Sequence, residues 1–251
     1  MKIIKNIFFG IYMYWDLRVI RKNQIMIHKY REEGDLEAER REICRAESTW
    51  GRRLVEKVGV DVRVEGRENI PEGPVVFVAN HQSYTDIAIF TYAVPDKQFG
   101  FVAKENLRRL PLFGQWIADV RSVFIKRDDP RESLRAIERG IDLLKQGFSL
   151  GIFPEGRRSR GPEMAEFKKG SLRLAVKPEV PVVPVTISGS YKCFEEPGAP
   201  TPARVYVCIH PPIETAGLSK REASELGEKV EKIVRDKLLE YRERERSINQ
   251  R

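Results

Sequence analysis

Pro74-Val75-Val76-Phe77-Val78-Ala79-Asn80-His81-Gln82-Ser83-Tyr84-Thr85-Asp86 sets an apolar, β-branched run against a short polar turn. Residues 75–79 follow a proline and read as a buried strand. Ile87-Ala88-Ile89-Phe90 resumes the apolar pattern at helical spacing. Ser83-x-x-Asp86 before it has the form of a capping box, so Ser83 is the expected N-cap. His81 then falls in a strand-to-helix turn at the carboxyl end of a strand, where open α/β sheets bind ligands.

Residues five apart on a regular helix do not share a face. His81 and Asp86 therefore meet only if His81 precedes the helix and Asp86 lies in its first turn. Asp86 can then accept from Nδ1–H, fixing the tautomer and leaving Nε2 as a general base. The same spacing also suits an Asp86 that only caps the helix beside an ordinary turn histidine.

Outward from this turn, strands alternate with helices. Val60 to Val64 alternates and reads as a strand on the rim of a sheet. Phe99 to Ala103 is a strand ending at Lys104, and Ser122 to Ile125 is another, delivering Lys126 and Arg127. Ser149 to Phe153 delivers Glu155, Gly156, Arg157, Arg158 and Arg160. Val182 to Ile187 carries Pro184, which points to an edge strand or a bulge. Val205 to His210 is the last strand, with His210 before Pro211-Pro212 in a structural role. Ser133 to Lys145 is an amphipathic helix, Phe167-Lys168-Lys169-Gly170-Ser171 opens a short one, and residues 219–244 form a third with Leu226, Val230, Ile233, Val234, Leu238 and Leu239 inward. The pattern predicts an α/β domain over 59–251: a mainly parallel or mixed sheet flanked by helices, its site along one edge.

Residues 1–58 differ. Ile3, Ile4, Ile7, Phe8, Phe9, Ile11 and Tyr12 to Trp15 form a dense apolar and aromatic segment among Lys2, Lys5, Arg18, Arg21 and Lys22. Asp16 and Arg18 interrupt it too early for a bilayer span. It reads as an interfacial helix, with aromatic rings at headgroup depth and basic residues towards anionic lipid. Together with the charged amphipathic stretch 31–58 it predicts a helical hairpin turning near Gly34. A helix packed on the body of the protein is the alternative reading.

The chain has 251 residues and a net charge of +8, which suits an anionic partner: membrane, phosphorylated substrate, acidic carrier protein or nucleic acid. Motifs that read RNA or DNA are absent. Cys44, Cys193 and Cys208 lie far apart and read as reduced thiols, neither a disulfide framework nor a metal site. No G-x-S-x-G elbow is present and no covalent nucleophile is evident, so His81 is expected to act directly on a substrate hydroxyl. Backbone N–H groups near Ser83 are the expected oxyanion donors.

Four segments in order resemble the glycerolipid acyltransferase family with a His-x4-Asp motif. Asn80 to Asp86 matches its first motif, Val123 to Arg127 its second, Phe153 to Ser159 its third and Val180 to Val185 its fourth, across roughly residues 70–190. The resemblance is strongest to the bacterial 1-acylglycerol-3-phosphate acyltransferases. Two departures stand out: Arg157 where the third motif usually has Thr, and Arg121 or Ser122 where the second often has Gly.

The resemblance implies transfer of a fatty acyl group from acyl-CoA or acyl-carrier protein to lysophosphatidate, with His81 and Asp86 catalytic. Glu155 and Gly156 would hold the glycerol portion, and Lys126, Arg127, Arg158 and Arg160 its phosphate, with Lys104 a further candidate. It also suggests an acyl groove at Leu110, Phe113 and Trp116, for which packing in the core is the alternative reading. No metal or bound cofactor and no nucleic-acid partner is implied, and the expected location is the cytoplasmic face of the cell membrane, peripheral and bound to its anionic surface. Acylation of glycerol-3-phosphate or another lysophospholipid, hydrolysis of an acyl thioester or ester, and basic membrane or nucleic-acid binding without catalysis are the competing readings.

Overall fold

A computed structural model describes residues 1–168 and 170–249. The strands are β1 (Asp61–Glu65), β2 (Val76–Ala79), β3 (Phe99–Lys104), β4 (Val123–Ile125), β5 (Ser149–Ile152), β6 (Val182–Ser188) and β7 (Arg204–Ile209). They form one seven-stranded sheet in the order β1-β7-β6-β2-β5-β3-β4. Pairing is parallel from β6 to β4, while β7 runs antiparallel to β6 and β1 parallel to β7. The sheet is therefore mixed, with β2 near its centre and β1 on the rim, as the pattern predicts.

Burial explains the central position of β2. Val76 to Ala79 have no polar side chain for solvent, so both faces must be covered. Val75, Phe77 and Ala79 pack with Ile89, Phe90 and Phe99 on one side; Val76 and Val78 pack with Ile141, Leu144 and Leu150 on the other. Helix α4 (Asp86–Ala93), backed by α3 (Leu36–Val58), covers the first side. Helices α6 (Pro130–Lys145) and α8 (Lys220–Asn249), with the four-residue α7 (Arg173–Val176), cover the second. Gly51 lets α3 approach α4 closely, since a Cβ there would lie 2.1 Å from Thr91 Oγ1 and 2.9 Å from the Ala88 carbonyl.

Several expectations need correction. Ser83 does not cap α4: Thr85 is the N-cap residue and no side chain caps it, while the Ser83 hydroxyl accepts from the Thr85 N–H at 3.1 Å and donates to Glu195. Pro184 lies in an interior strand, so it marks no edge. Its missing N–H faces His210, at the point where β7 ends; the two residues between Val182 and Val185 face the three between Ile209 and Ile213, so a bulge carries the strand past Pro211-Pro212. Leu239 points outward and Tyr241 takes the buried position instead. Helix α6 begins at Pro130, with Asp129 as its N-cap. Only a single turn of helix follows the Lys168 region, and Lys169 lies outside the described residues.

The N-terminal hairpin turns at Gly34 in the left-handed conformation, but its first arm is broken. Helix α1 (Lys2–Val19) ends at buried Ile20, and α2 (Arg21–Glu33) starts from it. Leu17, Ile20, Ile27, Ile43 and Trp50 share a core with Ala88 of α4 and Trp116 of α5 (Phe113–Asp119). The outer side of α1 exposes Ile4, Ile7, Phe8, Ile11, Tyr14 and Trp15. Among the described residues no helix is long and apolar enough to cross a membrane.

Arg121 occupies a backbone position with φ of +62°, which a side chain adopts only under strain. Its guanidinium compensates: Nε and Nη2 each donate at 2.7 Å to the fully buried Glu39, and the group lies over the Phe148 ring. Arg31 donates to the same carboxylate at 2.8 Å. A carboxylate so placed depends on its cations, and each cation depends on it. Glu39→Gln is expected to cost about 3 kcal/mol in urea unfolding, because it strands two arginines. Arg121→Gly should cost clearly less, since Arg31 stays paired and the positive φ is relieved by about 1 kcal/mol.

Candidate active site

The carboxyl ends of β2, β5 and β6 lie side by side, and their loops interlock. Asn80 donates to the Ile187 carbonyl and accepts from the Ile187 N–H, both at 2.8 Å. Gln82 Oε1 accepts from the Gly189 N–H at 3.0 Å. The loop after β5 closes the other side, with Ser159 N–H on the His81 carbonyl at 2.8 Å and Arg160 N–H on the Gln82 carbonyl at 3.2 Å.

His81 and Asp86 meet in this frame. Nδ1 of His81 lies 2.7 Å from Oδ2 of Asp86. Asp86 is fully buried, and the same oxygen accepts the N–H groups of Gln82 at 2.7 Å and Ser83 at 2.9 Å. The carboxylate is thus an acceptor, Nδ1 carries the proton, and Nε2 is left free. The imidazole stacks on Phe153 at 4.1 Å between centroids, and Phe153 stacks on Phe101. Of the N–H groups near Ser83 expected to receive an oxyanion, those of Gln82 and Ser83 are therefore already taken by Asp86.

Glu155 faces inward. Its two oxygens accept the main-chain N–H of His81 at 2.6 Å and of Ala165 at 2.8 Å, so it fastens one loop to another instead of presenting a free carboxylate to a ligand. Burial pushes its pKa up to about 7, against the pull of those two N–H donors. Gly156 follows in the left-handed conformation with φ of +73°.

A cavity of about 690 Å³ begins at His81 and runs beneath the N-terminal helices. Its wall is mostly apolar, with Phe9 and Met13 of α1, Trp50 and Leu54 of α3, and all three groove candidates, Leu110, Phe113 and Trp116. Lys104, Arg127, Arg157 and Arg158 also line it, as does Gly156. Lys126 and Arg160 are exposed and stand outside the lining.

Arg158 is not a free cation. It donates to Glu195 at 2.7 Å and its guanidinium lies 3.3 Å over the Tyr84 ring. Glu195 also accepts the Tyr84 N–H at 2.9 Å and the Ser83 hydroxyl. This carboxylate was outside every motif read from the sequence; it follows β6 by seven residues and lies 112 positions from Ser83, with no local signal to mark it. Of the cysteines, Cys193 is buried near the pair, with its thiol pushed up to about 12 by burial. Ser83 spends its hydroxyl hydrogen on Glu195, not on His81.

Comparison with known proteins gives the same assignment from several directions. Residues 61–188 match the Acyltransferase family model. A chloroplast 1-acyl-sn-glycerol-3-phosphate acyltransferase of Arabidopsis thaliana is 38% identical over 156 residues, covering 61% of this chain and 43% of the relative, so the chain spans less than half the length of that protein. A 1-acyl-sn-glycerol-3-phosphate acyltransferase of Borreliella burgdorferi is 33% identical, covering 72% of this chain and 71% of the relative. The crystal structure of the 1-acyl-sn-glycerophosphate acyltransferase PlsC from Thermotoga maritima superposes with a TM-score of 0.75 at 33% identity, covering 96% of this chain and 98% of that one. The whole architecture is shared as well as the central motifs, and the chain belongs to the Acyltransferase family.

Proposed function

We propose that the chain is a 1-acylglycerol-3-phosphate acyltransferase that works on a membrane surface. It moves a fatty acyl group from acyl-CoA or acyl-carrier protein to the sn-2 hydroxyl of lysophosphatidate, giving phosphatidate. One observation carries this reading: the free Nε2 of His81, backed by a buried carboxylate, faces a long apolar cavity whose lining also bears cations. A thioester's chain fits the apolar part and an acceptor phosphate suits the cations. The names of the relatives support the acceptor.

In the proposed step the acceptor hydroxyl attacks the thioester carbonyl while Nε2 takes its proton. Asp86 stabilises the resulting imidazolium through Nδ1–H. The tetrahedral intermediate then expels the thiolate, and the imidazolium returns the proton to sulfur. Arg127, Arg157 and Lys104 supply positive charge near the developing oxyanion and the acceptor phosphate. Cys193 stays a thiol and Ser83 is engaged elsewhere, which supports direct transfer without an acyl-enzyme. The exposed apolar side of α1 supports docking on a lipid surface, with the cavity opening beneath that helix.

Glu155 and Glu195 enter this reading as positioning residues. Glu155 holds the His81 backbone in place of the glycerol contact suggested by the family motif, and Glu195 aims Arg158 at the acceptor phosphate.

Thioester consumption with purified protein should require lysophosphatidate. Consumption without acceptor would make the protein a hydrolase and overturn the reading. His81→Ala should lower turnover by roughly a thousandfold, and Asp86→Asn by about a hundredfold or more, as expected when a base or its orienting partner is lost.

Arg158→Ala should raise KM for lysophosphatidate by about tenfold or more, the worth of a charge-assisted hydrogen bond. Glu195→Gln should raise KM less and leave kcat nearly unchanged. The double variant should match Arg158→Ala alone, because the two side chains act as one unit.

Glu155 makes a pH prediction. Its folded pKa of about 7 stands above the ordinary 4.5, so the folded protein retains a proton that the unfolded chain has released. The associated stability is full below 4.5 and is lost as pH rises through 7. The stability difference between wild type and Glu155→Gln in urea should therefore fall by roughly 3 kcal/mol from pH 4.5 to pH 8. A constant difference across that range would show that Glu155 does not titrate there.

A further inference from the structure

A second cavity, of about 480 Å³, lies where α1 passes into α2 and faces α5. It shares no lining residue with the cavity at His81. Arg18, Arg21 and Lys29 stand on its wall, and Ile25 and Leu112, both exposed, contribute apolar lining. Asp119 also lines it but is buried and satisfied: Oδ1 lies 2.7 Å from His28 Nε2 and from Gln115 Nε2, and Oδ2 accepts from Gln24 at 2.8 Å. Lys29 has a long, exposed contact with Glu33 at 3.8 Å, and Glu32 is the remaining carboxylate of the lining. Three cations thus face one uncommitted carboxylate.

The position of Arg18 indicates the ligand. Helical spacing puts it three residues beyond Trp15, four beyond Tyr14 and seven beyond Ile11, on the exposed apolar stripe of α1. The stripe therefore ends in a cationic cavity. An anionic glycerophospholipid matches both halves: acyl chains along Ile11 and Tyr14, and the headgroup phosphate among Arg18, Arg21 and Lys29. A nucleic acid would fit the cations but leave the apolar stripe uncovered.

We infer that this cavity is a headgroup site for an anionic glycerophospholipid, separate from the catalytic centre. The inference rests on the membrane reading of α1 and adds a defined site to it. Phe9, Gly10 and Met13 of α1 line the catalytic cavity, while Leu17 and Arg18 of the same helix line the headgroup site. A lipid held at one end of α1 sets the depth at which the other end presents the catalytic cavity to the bilayer.

The test is partitioning of the full chain onto phosphatidylcholine vesicles with and without phosphatidylglycerol, followed by sedimentation and tryptophan fluorescence. The triple variant Arg18→Gln, Arg21→Gln, Lys29→Gln should lose about a hundredfold in partitioning onto the anionic vesicles, from about fivefold per cation near an anionic surface. Partitioning onto phosphatidylcholine alone should hold. A control with equal charge loss, Lys220→Gln, Lys229→Gln, Lys232→Gln on α8, should lose much less. Equal losses in the two variants would mean diffuse attraction and overturn the site, as would no loss in either. Thermal unfolding checks that the first variant is folded; if it is not, Arg21→Gln alone is compared with Lys229→Gln, and equal partitioning of that pair likewise overturns the site. A wild type that binds no vesicle at all refutes the membrane reading itself, a different result from binding that ignores the three cations.

Discussion

A single oxygen, Oδ2 of Asp86, gathers the Nδ1–H of His81 and the main-chain N–H groups of Gln82 and Ser83. A fully buried carboxylate is costly unless donors surround it, so the turn between β2 and α4 is shaped around its charge. Everything else at the carboxyl edge follows. With its backbone fixed at Gln82 and Ser83, the turn places the imidazole flat on Phe153. Asn80 and Gln82, the residues flanking His81, are then free to bind the end of β6 and the start of the loop after it. Removing the charge would release a histidine orientation and a turn conformation together.

The remaining charges are separated from the apolar cavity by the way they are paired. Glu155 is tied to two N–H groups, Glu195 to Arg158, and Glu39 to Arg31 and Arg121. These acids hold loops in place, and the lining sets Lys104, Arg127, Arg157 and Arg158 against a single carboxyl, Glu47, which burial holds well above the usual carboxylate range. The cationic part of the lining thus stands with little opposing negative charge, which favours a phosphate over a neutral acceptor.

The parts of this arrangement that depend on neighbours in sequence were legible in the sequence. The run from Val75 to Asp86 carries its own strand, turn and helix start, and the His81–Asp86 contact closes within that turn. The mainly parallel part of the sheet followed from strands that alternate with helices and end in polar chemistry, whereas the antiparallel pairing of β7 with β6 left no such mark. Partners brought together only by the fold were not legible: Glu195 reaches Arg158 and Ser83 from the far side of β6, and Glu155 turns inward because main-chain N–H groups wait there. Ser83 has the sequence of a cap, but Glu195 competes for its hydroxyl. Pro184 suggested an edge because an interior strand ordinarily needs every N–H; here β7 ends opposite it. Arg121, a departure from the family motif, makes physical sense only beside Glu39.

The interlocked loops also have a consequence in time. Asn80 meets Ile187 and Gln82 meets Gly189, each 107 positions later, and Ser83 meets Glu195 after 112. A ribosome adding about 5–20 residues per second spends roughly 5–20 s over such a distance. Throughout that interval the histidine turn has been made but its partners have not, while the aromatic α1 and the hairpin of α2 and α3 have already emerged. A nascent chain therefore acquires its exposed aromatic helix well before the strand that completes the carboxyl edge of the sheet, and an aborted chain ending before Ile187 would carry the histidine without the frame that sets it.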